Sequence, residues 1–251
     1  MAQIISFYVN NQLEDIKLPD PEQKVTGNLK WGKADMLFTP AYWASQTKIL
    51  ESKYLGNFKF GKTLEEEIVA CILGGYGFKA ELGLLAFKRL KEIGLFSKSN
   101  YFSAAEISEI LKEPFKIGAR SVKYRFVNQK STYVYYALKY IRQNPPKTKD
   151  PIEFRNWLLN ISGIGLKTAS WITRNWLESD LVAIIDIHIY RAGILSEIFS
   201  KSDKINRDYL LLEKKLIEYS KAIGARVSAL DATMWGHMRS MPHVVSRIFN
   251  T

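Results

Sequence analysis

Apolar positions along this chain recur mostly at helical spacing. The capping box Thr63-Leu-Glu-Glu66 predicts a helix running to about residue 73. Gly74-Gly-Tyr-Gly77 then breaks it, and a helical pattern resumes over 80–93 until Gly94. Further helices are predicted over 103–111, 122–142, 209–223 and 229–239. Residues 1–60 differ, with strand-like runs at 4–9 and 54–60 and scattered Pro and Gly. The loop Asn144-Pro-Pro146 is the expected internal seam. The pattern predicts a mainly α chain: an N-terminal segment over 1–60 with some strand, then a helical core over 61–251.

The most informative stretch runs from Asp150 to about residue 176. Asp150 can cap a helix, Pro151 suits its first position, and Glu153 stands at the third. Phe154, Trp157, Leu158 and Ile161 form an apolar stripe. Ser162-Gly-Ile-Gly165 ends this helix, and Leu166 opens another with Ala169, Ile172 and Trp176 on one face. Glycines this close permit positive φ and strip the turn of side chains. The amides of Gly163, Ile164 and Gly165 can then point outward at a helix N-terminus, where an anion such as a DNA phosphate is stabilised. An ordinary corner with packing glycines is the other reading, and the small Ala169, which allows close helix approach, favours the first.

Charge adds a partner. Lys plus Arg number 36 against 25 Asp plus Glu, a net charge of +11. Residues 115–149 contain nine basic and no acidic residues, so nine of the eleven net charges lie there. Tyr124, Phe126, Tyr133, Tyr135, Tyr136 and Tyr140 are interleaved with them. Such a run suits phosphate contacts with aromatics against sugars or bases; a solvated helix face with half-buried tyrosines is the alternative. Lys123, Arg125 and Lys130 are the candidate DNA contacts. Cys71 is the single cysteine, which excludes an internal disulfide, a Cys-ligated iron–sulfur cluster and a Cys-based zinc finger. His188, His237 and His243 follow no metal spacing and read as structural, so neither metal nor cofactor is expected. No run is long and apolar enough for a membrane span, and the start has no secretion-signal pattern; an intracellular protein with no membrane partner is expected.

Leu159-x-x-Ser-Gly-Ile-Gly-Leu-Lys167-Thr-Ala is followed, nineteen residues after the lysine, by Ile-Ile-Asp186-Ile-His-Ile. This resembles the helix-hairpin-helix base-excision DNA glycosylases, and within them the 8-oxoguanine DNA glycosylase/lyases of the short archaeal and bacterial branch. The resemblance spans about residues 64–240 and includes 124–133 and 230–235. It implies two helical subdomains around a DNA-binding cleft, damaged double-stranded DNA as partner, a monomeric state, and excision of oxidised guanine in base excision repair. Lys167 matches the family's Schiff-base lysine, which permits β-elimination of the strand. Its place in the first turn of a helix, where the dipole disfavours an ammonium, agrees with that role. Asp186, after the apolar run 181–185, reads by itself as a helix N-cap. The resemblance implies that it also assists the nucleophile and stabilises the cationic sugar.

By local matching, Trp171 and Trp235 are candidates for the base pocket, with core burial as the alternative, and Tyr76 for the residue inserted into the vacated stack. Two departures bear on base preference. The branch typically ends in a lysine that contacts the damaged base, whereas this chain continues to Ile248-Phe-Asn-Thr251, and Trp171 stands where eukaryotic relatives place a pocket cysteine. A glycosylase of the same fold with another lesion preference, or a non-catalytic DNA-binding hairpin, are the alternatives.

Overall fold

A computed structural model of the chain describes residues 1–53, 58–75, 79–97 and 101–249. In chain order the elements are β1 (Gln3–Val9), β2 (Gln12–Leu18), β3 (Lys24–Thr26), β4 (Leu29–Lys30), α1 (Pro40–Lys53), α2 (Leu64–Leu73), α3 (Ala80–Glu92) and α4 (Ala104–Lys112). There follow β5 (Phe115–Ile117), β6 (Arg120–Val122), α5 (Val127–Gln143), α6 (Pro151–Leu158), α7 (Leu166–Leu177), α8 (Ile187–Leu195), α9 (Ile205–Ala222), α10 (Val227–Ser240) and α11 (Pro242–Phe249). The chain is mainly α, with three two-stranded antiparallel sheets among the described residues. Within them no helix is long and apolar enough to cross a membrane.

Contacts divide the chain into two units, residues 58–178 and residues 1–57 together with 179–251. The first boundary falls near the expected 60/61, but the second, at 178/179, has no counterpart in the sequence pattern. Asn144-Pro-Pro146 is no boundary. The Trp157 indole N–H donates to the Asn144 carbonyl at 3.1 Å, and the Tyr140 and Trp157 rings lie 5.9 Å apart, so the loop is stitched to α6.

In unit 58–178, α2, α3, α5, α6 and α7 surround a core that includes Ile68, Leu90, Val134, Phe154, Ala169 and Ile172. Thr63 caps α2 by accepting from the Glu66 amide at 3.3 Å. The reciprocal half of the predicted box is not made, because Glu66 Oε2 accepts instead from the Lys62 amide and Lys91 Nζ. The full box appears at α4, between Ser103 and Glu106. α5 starts five residues later than its apolar pattern, because β5 and β6 form a hairpin around Gly118 (φ +58°) and Phe126 turns left-handed (φ +54°).

In the other unit, β1 and β2 pair along seven residues, and α1, α8 and α9 pack on α10 or its neighbours. The helix α1 was not expected. Residues 41–45 and Thr47 are all buried, so α1 shows no one-sided stripe. The Trp43 indole donates to Ser196 Oγ at 2.7 Å, and Tyr42 Oη meets His237 Nδ1 at 2.6 Å. The N-terminal segment is thereby tied to the chain's last quarter. Burial lowers the His237 pKa, in keeping with a structural histidine.

Candidate active site

The hairpin is built as its sequence suggests. Asp150 Oδ1 accepts from the Ile152 and Glu153 amides at 3.0 and 2.9 Å, fixing the start of α6. The chain then turns through 159–165, with the Ile164 amide on the Ile161 carbonyl. The two glycines of the turn differ in their reasons. Gly163 has φ +85°, and a Cβ there would stand 2.4 Å from ring carbons of Tyr133 on α5. Gly165, the N-cap of α7, has φ −97°, no side-chain cap, and open space within 4 Å of its Cβ position. The Ile164 side chain is buried, so only its backbone can serve a ligand. Ala169 is fully buried in the core to which α6 and α7 contribute. The result is a turn with no side chain at 163 and 165, leading into a helix N-terminus without a side-chain cap, an arrangement suited to an anion.

Lys167 lies half-buried in the first turn of α7. Its Nζ reaches the end of α2, where a Cβ on Gly75 (φ +98°) would be 3.7 Å from it. Gly74 next door admits the Trp171 indole, whose Cη2 would be 3.3 Å from a Cβ there. Phe60 meets Trp171 edge-on at 5.6 Å. The segment bearing Phe60 is fixed by Glu67, fully buried on α2, which accepts from the Phe60 and Gly61 amides at 2.7 and 3.0 Å and from Asn175 Nδ2 at 2.8 Å. Arg174 completes this network through Asn175 Oδ1 and lies over the Phe58 ring. Hydropathy did not single out Phe60, Glu67, Arg174 or Asn175; buried charges inside two helical patterns are the signal that could have done so.

The basic segment divides. Lys123 and Arg125 are exposed, as are Lys116 and Arg120. Between them and α5 stands Phe126, half-exposed, in left-handed backbone and at a helix N-terminus with no side-chain cap. Lys130 departs from the expected surface role. Its Nζ donates to the carbonyls of Ile72 and Gly74 at 2.5 and 3.3 Å, capping α2. Burial, and then the nearby Lys167 charge, push its pKa down to about 8. Tyr124 is likewise no surface aromatic, since it is buried with its hydroxyl on the Leu73 carbonyl. Tyr76 lies outside the described residues.

In the other unit, Asp186 is the N-cap of α8. Its Oδ1 accepts from the His188 and Ile189 amides at 2.8 and 2.9 Å. Among the described residues, no hydrogen bond is found to Oδ2. The approach over 183–185 has no regular structure; side chains hold its amides instead. Ala183 N–H donates to Glu213 Oε1, Ile184 N–H to Asp231 Oδ2 and Ile185 N–H to the Tyr209 hydroxyl. These supports on α9 and α10 are far from Asp186 in sequence, and hydropathy did not reveal them. Trp235, half-buried on α10, meets His188 edge-on at 6.3 Å, and the Arg239 guanidinium lies 4.9 Å over its ring.

A family model described as 8-oxoguanine DNA glycosylase matches residues 46–225. An 8-oxoguanine DNA glycosylase/AP lyase of Korarchaeum cryptofilum is 31% identical over 181 residues, covering 68% of this chain and 78% of that protein. One of Metallosphaera sedula is 34% identical over 177 residues, covering 67% and 78%. The structure of the Methanocaldococcus jannaschii 8-oxoguanine glycosylase/lyase with a 15mer DNA containing 8-oxoguanine matches with a TM-score of 0.56 at 26% identity, covering 80% of this chain and 89% of that one. Since that family model spans more than half of the sequence, the chain belongs to the 8-oxoguanine DNA glycosylase family.

Proposed function

We propose that this protein is a bifunctional DNA glycosylase/AP lyase that excises 8-oxoguanine from double-stranded DNA, with Lys167 as nucleophile and Asp186 as the carboxylate that stabilises the cationic sugar. The observation that carries this is Lys167 Nζ, held in the first turn of an uncapped helix directly after the glycine turn. The damaged nucleotide must leave the stack to meet a lysine set on a helix. Phosphates are received by the exposed backbone at Gly163 and Gly165 and by the exposed Lys123 and Arg125. The Phe126 ring offers bases a flat apolar face, while Trp171 and Trp235 are the aromatics for the extruded base.

In the first step the neutral Lys167 amine attacks C1′ as the C1′–N bond breaks, and the base departs with the bonding electrons, taking up a proton. The sugar is cationic in character at that moment, and a carboxylate is the charge that stabilises it. Asp186 can serve while capping α8, because the cap uses Oδ1 alone. Loss of the amine proton with opening of the sugar ring gives the imine. Removal of a C2′ proton then expels the 3′ phosphate, cutting the strand. The relatives' names, DNA glycosylase/AP lyase, are those of enzymes with both activities.

The test is trapping. Duplex DNA containing 8-oxoguanine, incubated with the protein and borohydride, should give a covalent adduct that Lys167→Gln abolishes. An adduct undiminished in Lys167→Gln would overturn the lysine assignment. A panel of oxidised purines and pyrimidines in the same assay checks the lesion class.

A further inference from the structure

Lys167 shares the end of α2 with a second amine. The last turn of α2 presents the carbonyls of Ile72, Leu73 and Gly74, which no helical amide can satisfy. Tyr124 takes the Leu73 carbonyl, and Lys130, reaching across from α5, takes those of Ile72 and Gly74. One residue further on, Gly75 has no side chain, and the space it leaves is bordered by Lys167 Nζ. Two amines thus stand at successive residues of one turn.

Their surroundings are opposite. Lys130 faces the C-terminus of α2, where the helix dipole and two carbonyl oxygens favour an ammonium. Lys167 belongs to the N-terminal turn of α7, where the dipole opposes one. When two like charges are brought together, the less favoured one gives up its proton. We propose that Lys130 is a positioning residue for the lysine chemistry, a fixed ammonium on the α2 carbonyls that keeps the neighbouring Lys167 amine neutral and nucleophilic at neutral pH. This rests on the reading of Lys167 as the nucleophile.

The charges around the pair fit. Burial and then Lys167 lower the Lys130 pKa to about 8, so the two amines repel each other and titrate as a coupled pair. From α2, Cys71 also senses Lys167, but burial pushes its thiol pKa up and it stays neutral. Glu67, on the same helix, is engaged by the Phe60, Gly61 and Asn175 donors, and Arg174 of α7 is held by Asn175 over Phe58. Tyr124, beside Lys130, has its pKa raised by burial and is also neutral. A neighbouring cation is one established way to prepare a lysine amine for attack.

The experiment is a pH profile of single-turnover adduct formation and strand cleavage by the full chain, comparing wild type, Lys130→Gln, Lys130→Arg and Lys167→Gln. Wild-type rates should rise with pH to a plateau as Lys167 loses its proton. Lys130→Gln keeps a donor for the carbonyls but removes the charge. Its midpoint should move up by about one pH unit, making it about tenfold slower at pH values well below the wild-type midpoint and equal to wild type on the plateau. Lys130→Arg, still charged, should keep the wild-type midpoint. A Lys130→Gln rate lowered by one factor at every pH, or an unmoved midpoint, would overturn the proposal and leave Lys130 as a cap of α2. If Lys130→Gln fails to melt cooperatively, Lys130→Met carries the same comparison, and loss of folding in both would likewise make the residue structural. A wild type that gives no adduct at any pH refutes the nucleophile itself, and this inference with it.

Discussion

The helices α7 and α8 open in opposite ways. At α7 the cap position is Gly165, whose missing side chain leaves the first-turn amides without a partner from their own cap. At α8 the cap is Asp186, whose Oδ1 closes two amides at 2.8 and 2.9 Å. Both ends start with the same unsatisfied donors. One has no side-chain cap of its own, while the other holds the protein's own anion at a fixed place. A helix N-terminus can therefore be a binding site or a mount, and the side chain at the cap position decides which.

The largest effect should come from breaking the turn that feeds α7. Gly163→Ala meets two obstacles, a φ of +85° and the Tyr133 ring 2.4 Å from the new methyl. Backbone strain and overpacking together should cost about 4 kcal/mol in urea unfolding. Tyr133→Ala in that background should recover the steric part and leave the strain. A Gly163→Ala protein as stable as its parent would mean that the turn is not held as described. Next comes Asp186→Asn. Asparagine caps a helix about as well as aspartate, so α8 should keep its stability to within a few tenths of a kcal/mol. Without the negative charge, base release should fall about 100-fold, equivalent to about 2.7 kcal/mol in the barrier. Turnover within a few-fold of wild type, measured on duplex 8-oxoguanine DNA, would reduce Asp186 to a mount with nothing on it.

The contrast between the two helix ends was legible in the sequence because capping is local. Asp150, Ser162-Gly-Ile-Gly165, Lys167 and Asp186 carry their chemistry within a few residues of chain. What escaped depends on partners distant in sequence. Lys130 sits in a run of like charge that suits a phosphate-tracking face, yet its acceptors lie 58 and 56 residues earlier. The helix α1 is buried around most of its first two turns, leaving no stripe to detect. The supports of 183–185 come from Tyr209, Glu213 and Asp231, whose buried polar ends have no periodic signature. The pairing of residues 1–57 with 179–251 in one unit is of the same kind, since no linker composition marks it.

The smallest expected effect sharpens the comparison most, because it turns one kind of helix end into the other. Gly165→Asp gives α7 the cap that α8 already has. The position has φ −97° and open space around its Cβ, so aspartate fits without strain. Its carboxylate can accept from the first-turn amides, and the chain should gain a few tenths of a kcal/mol in stability. The same carboxylate occupies the donors offered to a phosphate and repels it. DNA affinity should therefore fall about tenfold, about 1.4 kcal/mol, while stability rises. Gly165→Ala separates bulk from charge, because its methyl meets nothing within 4 Å and should leave affinity nearly unchanged. Measuring both in a Lys167→Gln background removes the chemistry, so that the added charge is read only through binding. A Gly165→Asp protein that binds duplex DNA as tightly as Gly165→Ala would show that no phosphate rests on α7. Opposite movements of stability and affinity at this one position are what an end kept open for an external anion requires.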